Sequence, residues 1–244
     1  IYIAIRRPMK TPTEGTEVFA PTAYNGTEPT PQYLSTGFTV DFNLYKYRNL
    51  NIGASAWDRL RGGSEALVTS TTGAEINISG DSNSQILAKQ FERNDGFSVG
   101  TGANNAAPLV AYSFKRAPGF MDVVAWTGNN NTNQRVAHNL TVAPELIIYK
   151  GRNKVNYWRV YSGNINQYIA LNLDNPIVTG SNLWGSSAPT TTDFGINCGS
   201  MDLDAFNAVA YLFATLAGVS KVGSFAHTQG TATNVDCGFA NGAR

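Results

Sequence analysis

The chain has 244 residues, enough for one large all-β domain or two modules of about 100 residues each. Its net charge of +1, from 18 Lys and Arg against 17 Asp and Glu, lacks the sign bias that nucleic-acid or anionic-membrane binding requires, so neither partner is expected. Only 14% of residues are charged, and 25 Asn, 24 Gly, 23 Thr and 16 Ser supply the surface polarity instead, a composition that suits strands and turns and suits long helices poorly.

In chain order, Ile1-Tyr2-Ile3-Ala4-Ile5 reads as the middle of a strand, and Arg244 falls inside another apparent unit, so the expectation is a segment of a longer polypeptide. A Pro/Thr-rich stretch over residues 11–32 follows. Phe38, Val40, Phe42 and Leu44 then alternate with Thr39, Asp41 and Asn43, and Val110, Tyr112 and Phe114 alternate with Ala111, Ser113 and Lys115. That period of two predicts strands with one buried face. Turn signals recur at Gly62-Gly63, Thr72-Gly73, Asn94-Asp95-Gly96, Gly128-Asn129-Asn130-Asn131, Ser162-Gly163-Asn164 and Asn241-Gly242. Short helices are candidates only near residues 84–91 and 202–207.

An internal repeat organises these elements. Val110-Ala111-Tyr112-Ser113-Phe114, Gly119-Phe120, Val123 and Trp126 recur as Val209-Ala210-Tyr211-Leu212-Phe213, Gly218-Val219, Val222 and Phe225, every pair 99 residues apart. The same offset carries Val136, His138 and Leu140 onto Val235, Cys237 and Phe239. Gly37-Phe38-Thr39-Val40 matches Asn139-Leu140-Thr141-Val142, and Asp95-Gly96-Phe97-Ser98-Val99 matches Thr192-Asp193-Phe194-Gly195-Ile196. The predicted fold class is all-β, as tandem jelly-roll-like β-sandwich modules. The expected division is the end of a preceding module over residues 1–15, modules over 16–115 and 116–214, and the beginning of a third over 215–244.

Catalytic signals are absent. No nucleophile elbow, zinc-protease helix, phosphate loop or dinucleotide fingerprint occurs, the scattered acids read as loop residues, and the chain is not expected to be an enzyme. His138 aligns with Cys237, which fits partial burial better than general-base work. Cys198 and Cys237 read as small buried residues, and neither a metal site nor a cofactor is expected. No run approaches the apolar length of a membrane helix, so no membrane insertion is expected.

The densest charged and aromatic cluster is Trp57-Asp58-Arg59-Leu60-Arg61-Gly62-Gly63. It supports two readings: a turn closed by Arg61-Gly62-Gly63 and held by Asp58, or a glycan contact with Trp57 as the platform and Asp58, Arg59 and Arg61 as hydrogen-bonding partners. Trp158 has the same two readings; because Tyr157 precedes it on a strand, the two rings face opposite ways and one of them is a candidate for exposure. Replacement of Trp126 by Phe225 argues for a core position, and the Asn-rich tip over residues 128–133 reads as a hairpin end.

The pattern Asp58-x-Leu60-Arg61-Gly62, Ala74-Glu75, Asp95-Gly96-Phe97-Ser98-Val99-Gly100 and Val110-Ala111-Tyr112-Ser113-Phe114-Lys115, continued by Phe120-Met121-Asp122-Val123-Val124 and Ala143-Pro144-Glu145, resembles a repeated module of marine tailed-phage virion proteins. In the second unit Asn156-Tyr157-Trp158-Arg159 takes the expected place of Ala56-Trp57-Asp58-Arg59. The resemblance implies a virion structural protein, part of a tail fibre, spike or appendage used in host attachment, on the extracellular particle. A capsid decoration or head fibre, and a module reading host surface glycan, are the alternatives. The partners it implies are other virion proteins and copies of the chain itself, as a homotrimer, with a host glycan as a further candidate.

Overall fold

A computed structural model describes residues 9–27, 31–77, 91–100, 107–198, 206–240 and 242–243. The helix candidates near 84–91 and 202–207 lie mostly outside these residues, as does the apparent strand at Ile1-Tyr2-Ile3-Ala4-Ile5. The described residues form strands β1 (Phe19–Asn25), β2 (Gln32–Ser35), β3 (Phe42–Tyr47), β4 (Ser55–Asp58), β5 (Glu65–Val68), β6 (Ile76–Asn77), β7 (Gly96–Val99) and β8 (Pro108–Phe114). A second set repeats them as β9 (Met121–Thr127), β10 (Gln134–Ala137), β11 (Leu146–Gly151), β12 (Arg159–Tyr161), β13 (Gln167–Ala170), β14 (Val178–Thr179), β15 (Asp193–Ile196) and β16 (Asn207–Phe213).

The pairings of the two sets correspond strand for strand. One sheet runs β1-β8-β3-β4-β5-β6 beside a β2-β7 ribbon, and the other runs β9-β16-β11-β12-β13-β14 beside a β10-β15 ribbon. The chain is therefore all-β, built from repeated sandwich-like modules of about 100 residues. Pairing first strand with last, and second with next-to-last, wraps each module as a jelly roll does, but a β3-β4-β5-β6 meander replaces the rest of that topology. Among the described residues no helix is long and apolar enough to cross a membrane.

Two of the three hydrophobic clusters lie inside the modules. Leu34, Phe97 and Val99 of the first ribbon pack on Trp57, Ala66 and Ala111 of its sheet. Val136, Phe194 and Ile196 of the second ribbon pack on Tyr149, Ala208 and Ala210. The third cluster joins the modules: Phe42, Ala56 and Leu67 from the first sheet meet Met121, Val123, Trp158, Val209 and Tyr211 from the second. Adjacent strand residues point to opposite faces, so each large sheet buries one face against its own ribbon and the other against its neighbour. The layers run ribbon, sheet, sheet, ribbon.

The register of the sheets corrects one sequence alignment. Leu44 pairs with Tyr112 and Ala56, and Ala56 pairs with Leu67. Ile148 pairs in the same way with Tyr211 and Val160, and Val160 with Ile169. Trp57 and Asp58 therefore correspond to Tyr161 and Ser162, rather than to Tyr157 and Trp158. The loop before β11 (138–145) is two residues longer than the loop before β3 (36–41), which makes a gapless offset misleading there.

Carboxylates fasten the end of each module in the same way. Asp41 Oδ2 accepts the Arg116 N–H at 2.8 Å, and Glu145 Oε2 accepts the Thr215 N–H at 2.8 Å. The Asn-rich tip is a chain of side-chain turns, with Asn129 Oδ1 accepting the Asn131 N–H and Asn131 Oδ1 accepting the Asn133 N–H.

Candidate functional site

The Trp57 to Gly63 cluster is part of the joint between the modules. Trp57 is 2% exposed, in the first module's own core. Asp58, one residue on, points to the other face of the sheet toward the second module, and its side chain and that of Arg61 are fully buried. Arg61 Nε donates to Asp58 Oδ2 at 2.5 Å, and its backbone N–H donates to Asp58 Oδ1 at 3.0 Å. The Gly62 N–H donates to the Asp58 carbonyl at 3.1 Å, with Gly62 at φ 90°, a conformation that suits glycine. The turn is thus held by Asp58.

The network crosses into the second module through Tyr211 on β16. Its hydroxyl donates to Asp58 Oδ2 at 2.9 Å and accepts from Arg61 Nη2 at 3.1 Å. Arg61 Nη1 donates to Glu75 Oε1 at 3.1 Å, and the other Glu75 oxygen accepts Arg152 Nε at 2.7 Å. Burial opposes the charge on Arg61, but Tyr211, Asp58 and Glu75 outweigh it and hold the guanidinium above its usual pKa. Burial pushes the Tyr211 phenol well up, so it stays neutral and serves as donor and acceptor at once.

A second set of contacts seals the same side. Trp158 is 1% exposed; its Nε1 donates to the Val68 carbonyl at 3.0 Å and its ring stacks on Tyr211 at 6.5 Å. Phe42 stacks on Tyr211 at 4.1 Å. The Asn156 N–H donates to the Thr72 carbonyl at 3.0 Å, and the Glu75 N–H to the Arg152 carbonyl at 2.6 Å. On another side the joint opens into a cleft of about 670 Å³ lined by Leu44, Ser70, Leu171 and Leu173, among others.

Lys150 lies in the joint with no exposed surface and, among the described residues, no carboxylate partner. Its ammonium donates to the Thr72 carbonyl at 3.1 Å, the Gly151 carbonyl at 3.2 Å and Asn156 Oδ1 at 2.8 Å. Burial, and secondarily Arg159, lower its pKa from 10.5 to about 8. Between those values the unfolded chain holds a proton that the folded chain has released, so this group makes stability rise with pH above about 8. Near pH 9 the direction reverses, because burial raises the Cys198 thiol above 9.0 and the Tyr24, Tyr45, Tyr149, Tyr161 and Tyr211 phenols above 10.0, so the unfolded chain ionises them first. Urea midpoints measured across this range should show a maximum near pH 9, and Lys150→Met should remove the rising limb.

The glycan-contact reading of this cluster is corrected by burial. Neither Trp57 nor Trp158 offers a ring face to a sugar, and Asp58 and Arg61 spend their polar atoms on each other and on Tyr211. Arg59 is separate: it donates to the Val40 and Phe91 carbonyls, pairs with Asp41 at 3.3 Å and covers the Phe91 ring. Of Tyr157 and Trp158 the exposed one is Tyr157, at 40%. His138 is buried, its pKa lowered chiefly by desolvation, and its Nδ1 accepts the Leu140 N–H. Cys198 is buried as expected, whereas Cys237 is only partly so, and both are free thiols.

One family model, a domain of unknown function designated DUF7483, matches residues 14–241. The chain belongs to that family. The match runs through both modules and across the joint. No curated protein and no solved structure matches the chain.

The sequence reading missed Glu75, Arg152, Lys150 and Tyr211 as members of one site. A usable signal lay in the repeat itself: Asp58 and Arg61 have only Ser162 and uncharged neighbours as counterparts, and a buried ion pair kept by one unit alone points to a contact between unlike faces.

Proposed function

We propose that this chain is a virion structural protein, part of a tail fibre, spike or appendage that serves host attachment. The observation that supports it best is the joint: buried apolar contacts and a buried charge network fasten two modules along their sheet faces. Interfaces of that character suppress the motion expected between loosely linked domains. A projecting particle component needs that stiffness. A low-charge surface rich in Asn, Thr and Gly suits close packing against neighbouring copies, and the reading includes assembly as a homotrimer.

Cryo-electron microscopy of the particle that carries the chain tests this. Copies arranged around the tail or fibre axis are the expected result. Copies spread over the capsid lattice would favour a decoration or head-fibre role, and absence from the particle would refute the reading.

A further inference from the structure

Lys150 and Asn156 meet at the end of β11. A Cβ on Gly151, the last residue of that strand, would collide with Asn156 Nδ2, so the absence of a side chain there lets the carboxamide lie against the strand end. Lys150 Nζ donates to Asn156 Oδ1 at 2.8 Å, and the Gly151 N–H donates to the same oxygen at 3.3 Å. A C=O bond of about 1.2 Å then places the carboxamide carbon within about 4 Å of the amine, close to the roughly 3 to 3.5 Å of an attacking pair.

The first module holds both partners in place. Its Thr72 carbonyl accepts Lys150 Nζ at 3.1 Å and the Asn156 N–H at 3.0 Å, and its Glu75 N–H donates to the Arg152 carbonyl between them. The lysine is fully buried, while Asn156 is partly exposed and leaves a way out for a small product. Among the described residues no carboxylate reaches the amine, and burial, with Arg159 second, lowers its pKa to about 8, so a neutral nucleophile is present in mildly alkaline solution. Lys46 of the first module stands opposite Val110 as Lys150 stands opposite Val209, yet it is exposed and donates to the Ile52 carbonyl instead. The arrangement therefore belongs to the joint and is not a requirement of the module fold.

We propose that Lys150 and Asn156 form an isopeptide bond, in a reaction that the docked modules bring about themselves. The Nζ lone pair attacks Cγ, the C=O π electrons move onto Oδ1, where the Gly151 N–H receives the charge, and collapse of the adduct expels Nδ2. One proton passes from Nζ to Nδ2, so ammonia leaves and no oxidant or further reactant is consumed. The product closes a ring over residues 150–156 and fixes the loop that joins Arg152 to Glu75 and Asn156 to Thr72. The inference rests on the geometry of the joint and holds independently of a virion location.

The test follows the freshly purified 244-residue chain by intact mass spectrometry during incubation above pH 8. The expected result is loss of one ammonia per chain, with a branched peptide joining Lys150 to Asn156 after proteolysis. Below pH 8 the rate should fall about tenfold per pH unit as the neutral amine is depleted. Lys150→Met and Asn156→Ser should each lose no ammonia, and the bonded parent should lack the alkaline rise in stability that the fresh chain shows. An unchanged mass in the folded parent, a loss of ammonia that persists in Lys150→Met, as ring closure at an asparagine backbone would give, or conversion of Asn156 to Asp in place of a bond to Lys150 would each overturn the proposal.

Discussion

Replacing Arg61 by Met should destabilise the protein by about 3 to 5 kcal/mol, because it strands the buried Asp58 carboxylate without its cation. For a chain of this size that corresponds to a fall in the thermal midpoint of roughly 6 to 20 °C. The loss has a second part, since Glu75 then keeps Arg152 as its only cation in the network and the Tyr211 hydroxyl loses one of its two partners. The double variant Asp58→Leu with Arg61→Met should recover much of the loss, because the two charges leave the apolar joint together and neither is stranded by the other's removal. Urea unfolding of the parent, both single variants and the double variant measures the coupling. A change below about 1 kcal/mol for Arg61→Met would mean that water reaches the pair and that the joint is looser than the contacts indicate.

Trp158→Ala should cost a similar amount, about 3 to 5 kcal/mol, as a large ring leaves a closed site. The indole fills the space between Val68 of the first module and Tyr211 of the second, so its removal also leaves the Val68 carbonyl without that donor. Tyr157→Ala, one residue away and facing outward, should change stability by less than about 1 kcal/mol. Thermal melts of the two variants side by side separate the two readings of this segment, which leads into β12. An unchanged midpoint for Trp158→Ala would restore Trp158 as an exposed contact residue.

The strands were legible from their alternation, but which face is buried was not. The buried face of β8 is the reverse of the one the alternation implies: Ala111 and Ser113 are fully buried on the module-core side, while Tyr112 is 39% exposed on the other. The junctions were legible too, because the glycines at 119 and 218 mark turns with the same backbone. The joint was not. Trp57, Asp58 and Arg61 carry the side chains of a sugar site and of a buried clamp alike, and only the position of Tyr211, 150 residues from Arg61 in the chain, distinguishes them. The alignment failed at β12 for a related reason. The loop before β11 is two residues longer than the loop before β3, and pairing register, not spacing along the chain, fixes which residues correspond.

Composition, a period of two and a 99-residue offset determined by themselves that the protein is all-β and modular, because strand alternation and turn chemistry are local properties of the chain. One feature of β16 already hinted at the rest: Val209-Ala210-Tyr211-Leu212-Phe213 is apolar on both faces, the pattern of a strand buried on both sides. What covers the second face was decided only by tertiary structure. Two sheets present apolar faces that neither ribbon reaches, and burying them against each other removes both from water at once. That packing turns a cluster with the look of a binding site into the fastening between two modules.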